Sequence, residues 1–192
     1  MFESLKTLDR NLLLSINSTH SPTLDVIMWY ASKTWPTVIL VLFIAYFVYR
    51  KFKLKRAMEF ILGCALVAAT ADLTSNTVKH GFKRYRPTHN LEIREKIHLV
   101  NNYQGGQYGF FSGHATTTFG VCTFIILCVN WLQRRYMFLI VLWALLVVYS
   151  RMYLGVHYPS DILIGIITGV LFGWLGFIIM NTFFMKLDEK KP

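Results

Sequence analysis

The sequence is poor in charged residues, which argues against a soluble domain. Asp, Glu, Lys and Arg make up only 16% of its 192 residues, whereas soluble domains average about 25%. The hydrophobic set accounts for 54%, and its members are clustered in long runs. A disordered chain is equally excluded by this apolar content. The composition therefore indicates a multispanning membrane protein.

Cysteine is also scarce, and the amino terminus lacks a secretion signal. Cys64, Cys122 and Cys128 all fall inside apolar runs, so we expect them to pack as small hydrophobic residues and not as a disulfide or metal set. The first twenty residues lack a basic stretch followed by an apolar block. No cleavable signal peptide is therefore expected.

Acidic residues are few in comparison with basic ones. The 10 Asp and Glu residues stand against 20 Lys and Arg, which gives a formal net charge of +10. Such a balance is typical of nucleic-acid-binding proteins. Here, however, the basic residues lie between apolar runs, so we expect anionic membrane lipids or phosphorylated substrates as partners and no nucleic acid. The oligomeric state is not indicated by any feature of the sequence.

The apolar runs predict an all-α, polytopic membrane helix bundle that forms a single domain over residues 1–192. A spanning helix needs roughly 20 mostly apolar residues. Five predicted spans cover residues 24–49, 57–78, 112–131, 136–149 and 160–184. In the last of them, Gly165, Gly169 and Gly173 form a stripe of small residues that we expect to allow close packing within the bundle.

Residues 1–20 are predicted to form an additional amphipathic helix. Its apolar side chains recur at helical spacing, at Leu5, Leu8, Leu12 and Ile16. Such a helix either lies on the membrane surface or packs against the bundle.

The basic loops predict the orientation in an inner, cytoplasmic membrane. Residues 50–56 carry five positive charges, and Arg134 and Arg135 follow the third predicted span. With five spans, these segments and the tail lysines share one face, which the positive-inside rule makes cytoplasmic. The tail lysines are Lys186, Lys190 and Lys191. The outer loop at 79–111 and the loop at 150–159 then face the periplasm or exterior. Because the 79–111 loop also holds six basic residues, these need a separate explanation.

Three basic residues of the outer loops indicate a phosphate site. Lys79, Arg86 and Arg151 lie near the hydrocarbon boundary, where unpaired charges are costly. Few acids are nearby, so a bound phosphate is the expected partner. Ser112 and Gly113 begin a predicted helix, whose free N–H groups also favour an anion. The alternative is that these cations simply extend to the membrane interface.

Two histidines and an aspartate supply candidate catalytic groups in the same loops. His157 and Asp161 are four residues apart across Pro159, at the expected start of the last helix. An Asp that accepts from one ring nitrogen would make the other nitrogen a better nucleophile or base. His114 could protonate a leaving oxygen. This combination fits phosphoester hydrolysis through a covalent intermediate.

Two other chemistries are compatible with the same residues. His114, His157 and Asp161 could bind a metal ion, although the surrounding cations would repel it. Ser112, His157 and Asp161 could form an acyl-transfer triad, although Ser112 lacks a nucleophile-elbow context.

The combined pattern resembles that of the type 2 phosphatidic acid phosphatase superfamily, membrane lipid phosphatases related to vanadium haloperoxidases. The Lys-x6-Arg-Pro segment of that family matches at Lys79, Arg86 and Pro87. The Ser-Arg-x5-His-x3-Asp segment matches at Ser150, Arg151, His157 and Asp161. The Pro-Ser-Gly-His segment matches at Ser112, Gly113 and His114, with Phe111 in place of the proline.

The resemblance implies a role for each matched residue. His157 would be the nucleophile, Asp161 its orienting partner and His114 the general acid. The phosphoryl group would be bound by Lys79, Arg86, Ser112, Gly113 and Arg151. The family uses no metal, so neither a metal nor another cofactor is expected.

The resemblance also implies the class of substrate. We expect a lipid phosphate or diphosphate, with undecaprenyl diphosphate favoured; phosphatidylglycerophosphate, phosphatidic acid and lipid A phosphate are alternatives. A lipid phosphotransferase differs only in what attacks the intermediate, and a non-enzymatic binder of anionic lipids is disfavoured by the complete catalytic set. Family members usually have six spans, one more than the five that the apolar runs of this chain predict.

Overall fold

Six α-helices account for most of residues 2–182, the part of the chain that the computed structural model describes. They are α1 (Phe2–Ser18), α2 (Pro22–Ala31), α3 (Trp35–Phe82), α4 (Gly113–Cys128), α5 (Arg134–Tyr153) and α6 (Pro159–Met180). Three short 3-10 turns lie between α3 and α4, at Pro87–His89, Arg94–Lys96 and Val100–Asn102. The predicted all-α class is thereby confirmed.

The first two predicted spans are not two separate helices in the structure. The first covers α2 and the beginning of α3, which meet at a 55° bend. Pro36 lies in the first turn of α3, where a missing N–H group costs no hydrogen bond. The second span lies in the same long element, which is interrupted at Lys53 with φ 70° and ψ −178°. The interruption falls within the basic segment 50–56.

The predicted number of five spans is not confirmed. Among residues 2–182, α5 and α6 are each long and apolar enough to cross a membrane, and the bent pair of α2 and α3 makes at most a third span. The third predicted span corresponds to α4, which has only 16 residues, short of the roughly 20 that a bilayer requires. Residues 183–184 of the last predicted span and the tail lysines lie outside the described residues.

The centre of the bundle is α4, which packs against α3, α5 and α6. Its contact with α6 depends on the predicted stripe of small residues. A Cβ atom on Gly169 would lie 2.5 Å from the carbonyl oxygen of Thr116, and one on Gly173 would collide with that of Gly120. The stripe therefore serves packing within the bundle, as expected from the sequence.

The first helix packs against the bundle with one face and exposes the other. It contacts α5 and α6, and Asp9, Leu13 and Asn17 are buried along the contacting face. The Asn17 amide donates to the carbonyl oxygen of Tyr153 at 2.7 Å. Of the predicted apolar stripe, Leu5, Leu8 and Leu12 are exposed. Ile16 instead packs against the buried cluster that contains Met28 and Tyr153.

The polar segments separate to the two ends of the bundle. At one end, the Lys51 ammonium lies 4.2 Å from the ring centroid of Trp131, which brings the basic segment to the α4–α5 turn. At the other end, the loop after α3 closes on itself through a bridge between Tyr85 and Tyr108. The N–H of Ser112 donates to the carbonyl oxygen of Asp161 at 3.1 Å, which joins that loop to α6.

Candidate active site

His157 and Asp161 face each other at the beginning of α6. Pro159 begins the helix, and Asp161 occupies its third position, where Oδ2 accepts from the N–H of Tyr158 at 3.0 Å. The same oxygen lies 3.6 Å from Nδ1 of His157. This distance is longer than a hydrogen bond, but catalytic contacts often tighten only when substrate is present. The predicted nucleophile and its predicted orienting partner are thus neighbours.

The backbone of Gly109 approaches both of these side chains. A Cβ atom at this position would lie 3.3 Å from Oδ2 of Asp161, 3.5 Å from Nδ1 of His157 and 3.1 Å from Cγ of Arg86. The loop after α3 therefore packs directly against the pair, and the absence of a side chain at Gly109 permits the approach. Sequence reasoning assigned no role to this glycine.

Arg86 and Arg151 are buried without carboxylate partners among residues 2–182. Arg86 donates from Nε to the carbonyl oxygen of Tyr108 at 3.0 Å, and Arg151 donates from Nη2 to the hydroxyl of Tyr103 at 3.2 Å. The exposed fraction is 9% for Arg86 and 2% for Arg151. Two buried guanidinium groups without a counter-charge are costly unless an anion joins them.

Within the described part of the chain, several buried nitrogen atoms around His157 lack a hydrogen-bond partner. In residues 2–182, five buried side-chain nitrogen or oxygen atoms lack a hydrogen-bond partner, and three belong here: Arg86 Nη1, Arg151 Nε and His157 Nδ1. Most buried polar groups in proteins are paired. Two unpaired guanidinium donors beside a histidine are therefore suited to phosphate oxygens.

The surrounding charges act on the histidine. Burial lowers the pKa of His157 well below its ordinary value, and the positive charges of Arg86, Arg151 and Lys79 lower it further. Burial and the charge of Arg151 likewise lower the pKa of Arg86. His157 is consequently a neutral ring at neutral pH, with one nitrogen available as a nucleophile.

Ser112 and Gly113 form the amino-terminal end of α4. The Ser112 hydroxyl caps the helix by accepting from the N–H of Ala115 at 3.4 Å. A Cβ atom on Gly113 would lie 2.8 Å from Oγ of Ser75 and 3.1 Å from Nζ of Lys79. The glycine thus lets the Lys79 ammonium approach the positive end of the helix, where a shared anion would bind.

The two alternative chemistries gain no support from this arrangement. The described residues include no hydrogen bond between Ser112 and His157, since the Ser112 hydroxyl acts as a helix cap. Within the same range, no three His, Cys, Asp or Glu side chains are grouped to hold a metal ion. His114 lies in the first turn of α4, directly after Ser112 and Gly113. All eight predicted site residues therefore lie at one end of the bundle.

Sequence reasoning missed two residues of this region, Arg84 and Asp9. Nη1 of Arg84 donates to Oδ1 of Asp161 at 2.6 Å, and Nη2 donates to Oδ2 of Asp9 at 2.7 Å. Arg84 was recognisable only as one of several cations in the motif segment. The sequence offers no reason to assign Asp9 to the site, because nothing in the polar face of the first helix indicates which part of the chain it contacts.

Comparisons with known proteins give similarities to a family and to individual relatives. The profile described as PAP2 superfamily matches residues 57–185. A lipid A 4'-phosphatase of Porphyromonas gingivalis is 33% identical over 89% of this chain and 72% of that protein. A lipid A 4'-phosphatase of Bacteroides thetaiotaomicron is 34% identical over 100% of this chain and 85% of that protein. A putative undecaprenyl-diphosphatase of Escherichia coli, YbjG, is 27% identical over 84% and 79% of the two chains.

Two solved structures share the fold. The transmembrane PAP2-type phosphatidylglycerolphosphate phosphatase from Bacillus subtilis superimposes with a TM-score of 0.71 at 21% identity, covering 98% of this chain and 88% of that one. Aquifex aeolicus LpxE gives a TM-score of 0.69 at 24% identity, covering 88% and 94%. At these identities, the likeness concerns the fold alone.

Proposed function

The chain belongs to the PAP2 superfamily and is a membrane lipid phosphatase, and on that premise we propose that it removes the phosphate of a lipid A-type glycolipid through a phosphohistidine at His157. One observation carries the mechanism. A buried histidine whose Nδ1 faces Asp161 lies where the charges of Arg86, Arg151 and Lys79 converge. This arrangement is suited to in-line attack on a bound phosphoryl group.

The phosphoryl oxygens are bound by the three cations and by the beginning of α4. Arg86 and Arg151 present unpaired guanidinium nitrogens, which form charge-assisted hydrogen bonds with phosphate. Lys79 and the N–H groups that follow Ser112 add positive potential on the helix side. Their charge stabilises the transition state because it is already in place when the reaction begins.

The chemical step uses the two histidines in opposite proton roles. Nε2 of His157 attacks phosphorus, the P–N bond forms as the bond to the lipid oxygen breaks, and His114 donates its proton to that oxygen. Water then attacks the phosphohistidine and gives a proton back to His114, which releases inorganic phosphate and restores both rings. Asp161 fixes the ring of His157 throughout.

The substrate assignment depends on the relatives. Two proteins named lipid A 4'-phosphatase share 33% and 34% identity with this chain and are covered over 72% and 85% of their lengths. Undecaprenyl diphosphate, favoured by the sequence alone, has the support of a relative at 27% identity. We therefore place a lipid A-type phosphate first and undecaprenyl diphosphate second.

The site is proposed to face the periplasm from the inner membrane. The basic segment 50–56 and the α4–α5 turn lie at the end of the bundle opposite to the site, as the contact between Lys51 and Trp131 indicates. The positive-inside rule assigns that end to the cytoplasm. The exposed leucines belong to α1, the helix that contacts Arg84 and Ser160 through Asp9, and they suit contact with lipid near the headgroups.

Release of inorganic phosphate by the purified protein in detergent tests the substrate. The panel contains lipid A, undecaprenyl diphosphate, phosphatidylglycerophosphate and phosphatidic acid, and His157→Gln is the inactive control. We expect kcat/KM to be highest for lipid A. A higher value for undecaprenyl diphosphate would reverse the order of the two candidates, and loss of lipid-bound phosphate without free phosphate would indicate a phosphotransferase.

A further inference from the structure

Arg84 connects the candidate catalytic aspartate to two other elements. Its Nη1 donates to Oδ1 of Asp161 at 2.6 Å and to Oγ of Ser160 at 2.7 Å. Its Nη2 donates to Oδ2 of Asp9 at 2.7 Å. The guanidinium carbon also lies 4.2 Å from the ring centroid of Tyr158. Arg84 is thus held on one side by α1 and on the other by the first turn of α6.

Asp9 forms the other half of this connection. It is 9% exposed, and it accepts from the N–H of Ser160 at 2.8 Å and from the Ser160 hydroxyl at 2.6 Å. Its carboxylate therefore binds both Arg84 and the free N–H at the start of α6. Since Asp9 belongs to α1, the docking of the first helix is joined to the turn that carries Asp161.

The partners of Arg84 distinguish it from the arginines assigned to phosphate. Both of its terminal nitrogens donate to carboxylates, whereas Arg86 Nη1 and Arg151 Nε lack partners among residues 2–182. These two carboxylates neutralise the charge of Arg84, so its guanidinium group has little positive electrostatic potential left to attract another anion. Arg84 is therefore unsuited to bind the phosphoryl group directly.

The same contacts define the orientation of Asp161. Arg84 binds Oδ1, and the N–H of Tyr158 binds Oδ2, which leaves Oδ2 directed at Nδ1 of His157. In addition, the carbonyl oxygen of Arg84 accepts from the N–H of Gly109 at 2.9 Å, the residue packed against the histidine. Without Arg84, the carboxylate would lose one of the two groups that prevent its rotation.

We propose that Arg84 is a positioning residue that holds Asp161 toward His157, and that Asp9 of α1 in turn holds Arg84. The inference rests on the proposed function, because it assumes that His157 and Asp161 act as a pair. It makes the first helix a part of the catalytic unit. Loss of the α1 contact then lowers turnover without removing any group that touches substrate.

A double-mutant cycle on Arg84 and Asp161 tests the inference, with p-nitrophenyl phosphate as the substrate so that the identity of the lipid does not enter. Arg84→Gln is expected to lower kcat by about 10- to 100-fold, the range found when a hydrogen-bonding partner that orients a ligand of a metal site is lost, with KM nearly unchanged. In an Asp161→Asn background the same substitution should cause little further loss, because its effect is transmitted through Asp161. Arg84→Lys should restore part of kcat.

The outcomes separate this inference from the proposed function. One outcome is that the wild-type protein is active, the double variant loses kcat by the product of the two single losses, and KM rises. In that case Arg84 binds the phosphoryl group itself and the inference is overturned. If the wild-type protein hydrolyses neither p-nitrophenyl phosphate nor any lipid of the panel, the proposed function fails and this inference fails with it. Thermal unfolding in detergent, with Arg84→Lys as the milder change, identifies a loss caused by misfolding.

A matched pair of variants tests the part played by α1. Asp9→Asn weakens the contact with Arg84 and should lower kcat in the same direction as Arg84→Gln. Arg10→Gln removes the neighbouring ion pair with Glu92, which also joins α1 to the outer loop but does not touch Asp161. We expect kcat to be unchanged by Arg10→Gln. An equal loss in both variants would mean that general docking of α1, and not the Asp9–Arg84 contact, supports turnover.

Discussion

Oδ2 of Asp161 lies 3.6 Å from Nδ1 of His157, and the two side chains are 0% and 1% exposed. Because Nδ1 is directed at the carboxylate, Nε2 is the ring nitrogen left for reaction. Burial removes competing water from both groups, and burial together with the nearby cations keeps the ring neutral by lowering the pKa of His157. A neutral ring with the carboxylate on its Nδ1 side is the arrangement that the proposed nucleophilic role of His157 requires.

The first prediction concerns the covalent intermediate. His157→Gln should abolish turnover, because no other group in the site replaces the nucleophile, whereas Asp161→Asn should leave residual activity. Rapid quenching with a phosphate-labelled substrate should trap an adduct on the wild-type protein that is labile in acid and stable in base. No adduct should form on His157→Gln. An acid-stable adduct mapping to Ser112 would contradict this assignment and favour a serine nucleophile.

The second prediction concerns the general acid. His114→Ala should lower kcat by roughly 100- to 10,000-fold, the usual contribution of proton transfer. The loss should be smaller for substrates with better leaving groups, because their oxygens depart without a proton. Comparing an alkyl phosphate with p-nitrophenyl phosphate measures this difference. If the two substrates lose the same factor, His114 does not protonate the leaving oxygen.

The third prediction follows from the lowered pKa of His157. The reactive form of the ring is the unprotonated one, and an ordinary histidine loses it below about pH 6.5. Since the folded protein lowers this pKa, the acidic fall of kcat/KM should lie below that pH. Measuring the pH dependence of kcat/KM with two substrates whose phosphates ionise at different pH distinguishes an ionisation of the enzyme from an ionisation of the substrate. A fall that remains at or above pH 6.5 with both would show that the ring is not shielded as proposed.

The sequence predicted which residues share one end of the bundle better than it predicted the membrane topology, for a physical reason. The motif residues lie next to helix ends, so a correct order of helices is enough to bring Lys79, His114 and His157 to one end. The number of spans depends on details that hydropathy does not contain, such as the interruption of α3 at Lys53 and the 16-residue length of α4.

The supporting contacts of the site were beyond sequence reasoning. Arg84 is 75 residues from Asp9 and 77 from Asp161 along the chain, and no periodicity connects such distant positions. The first helix illustrates the same limit. Its leucine spacing was recognised, but the face that contacts the bundle is the one carrying Asp9, Leu13 and Asn17, because its partners include polar groups of other elements.

The fourth prediction concerns the orientation in the membrane. In a background without native cysteines, Gln104→Cys, on the exposed loop beside the site, should react with an impermeant thiol reagent added to intact cells whose outer membrane has been permeabilised. Lys53→Cys, in the basic segment, should react only after the inner membrane is opened. Both positions are exposed in the structure, so protection reports the membrane and not burial. The reverse labelling pattern would move the site to the cytoplasmic side.

The fifth prediction uses the two loop glycines beside the site. A Cβ atom on Gly109 would lie 3.1 Å from Cγ of Arg86, 3.3 Å from Oδ2 of Asp161 and 3.5 Å from Nδ1 of His157, whereas one on Gly106 would have no neighbour within 4 Å. Gly109→Ala should therefore displace the pair or Arg86 and lower kcat/KM by up to about 100-fold, as misplacement of reacting groups by about 1 Å does. Gly106→Ala is the matched control, with the same added methyl group in the same loop, and it should retain full activity. Equal activity of the two variants would mean that the loop can withdraw from His157 without consequence, and the close packing of Gly109 would then have no part in catalysis.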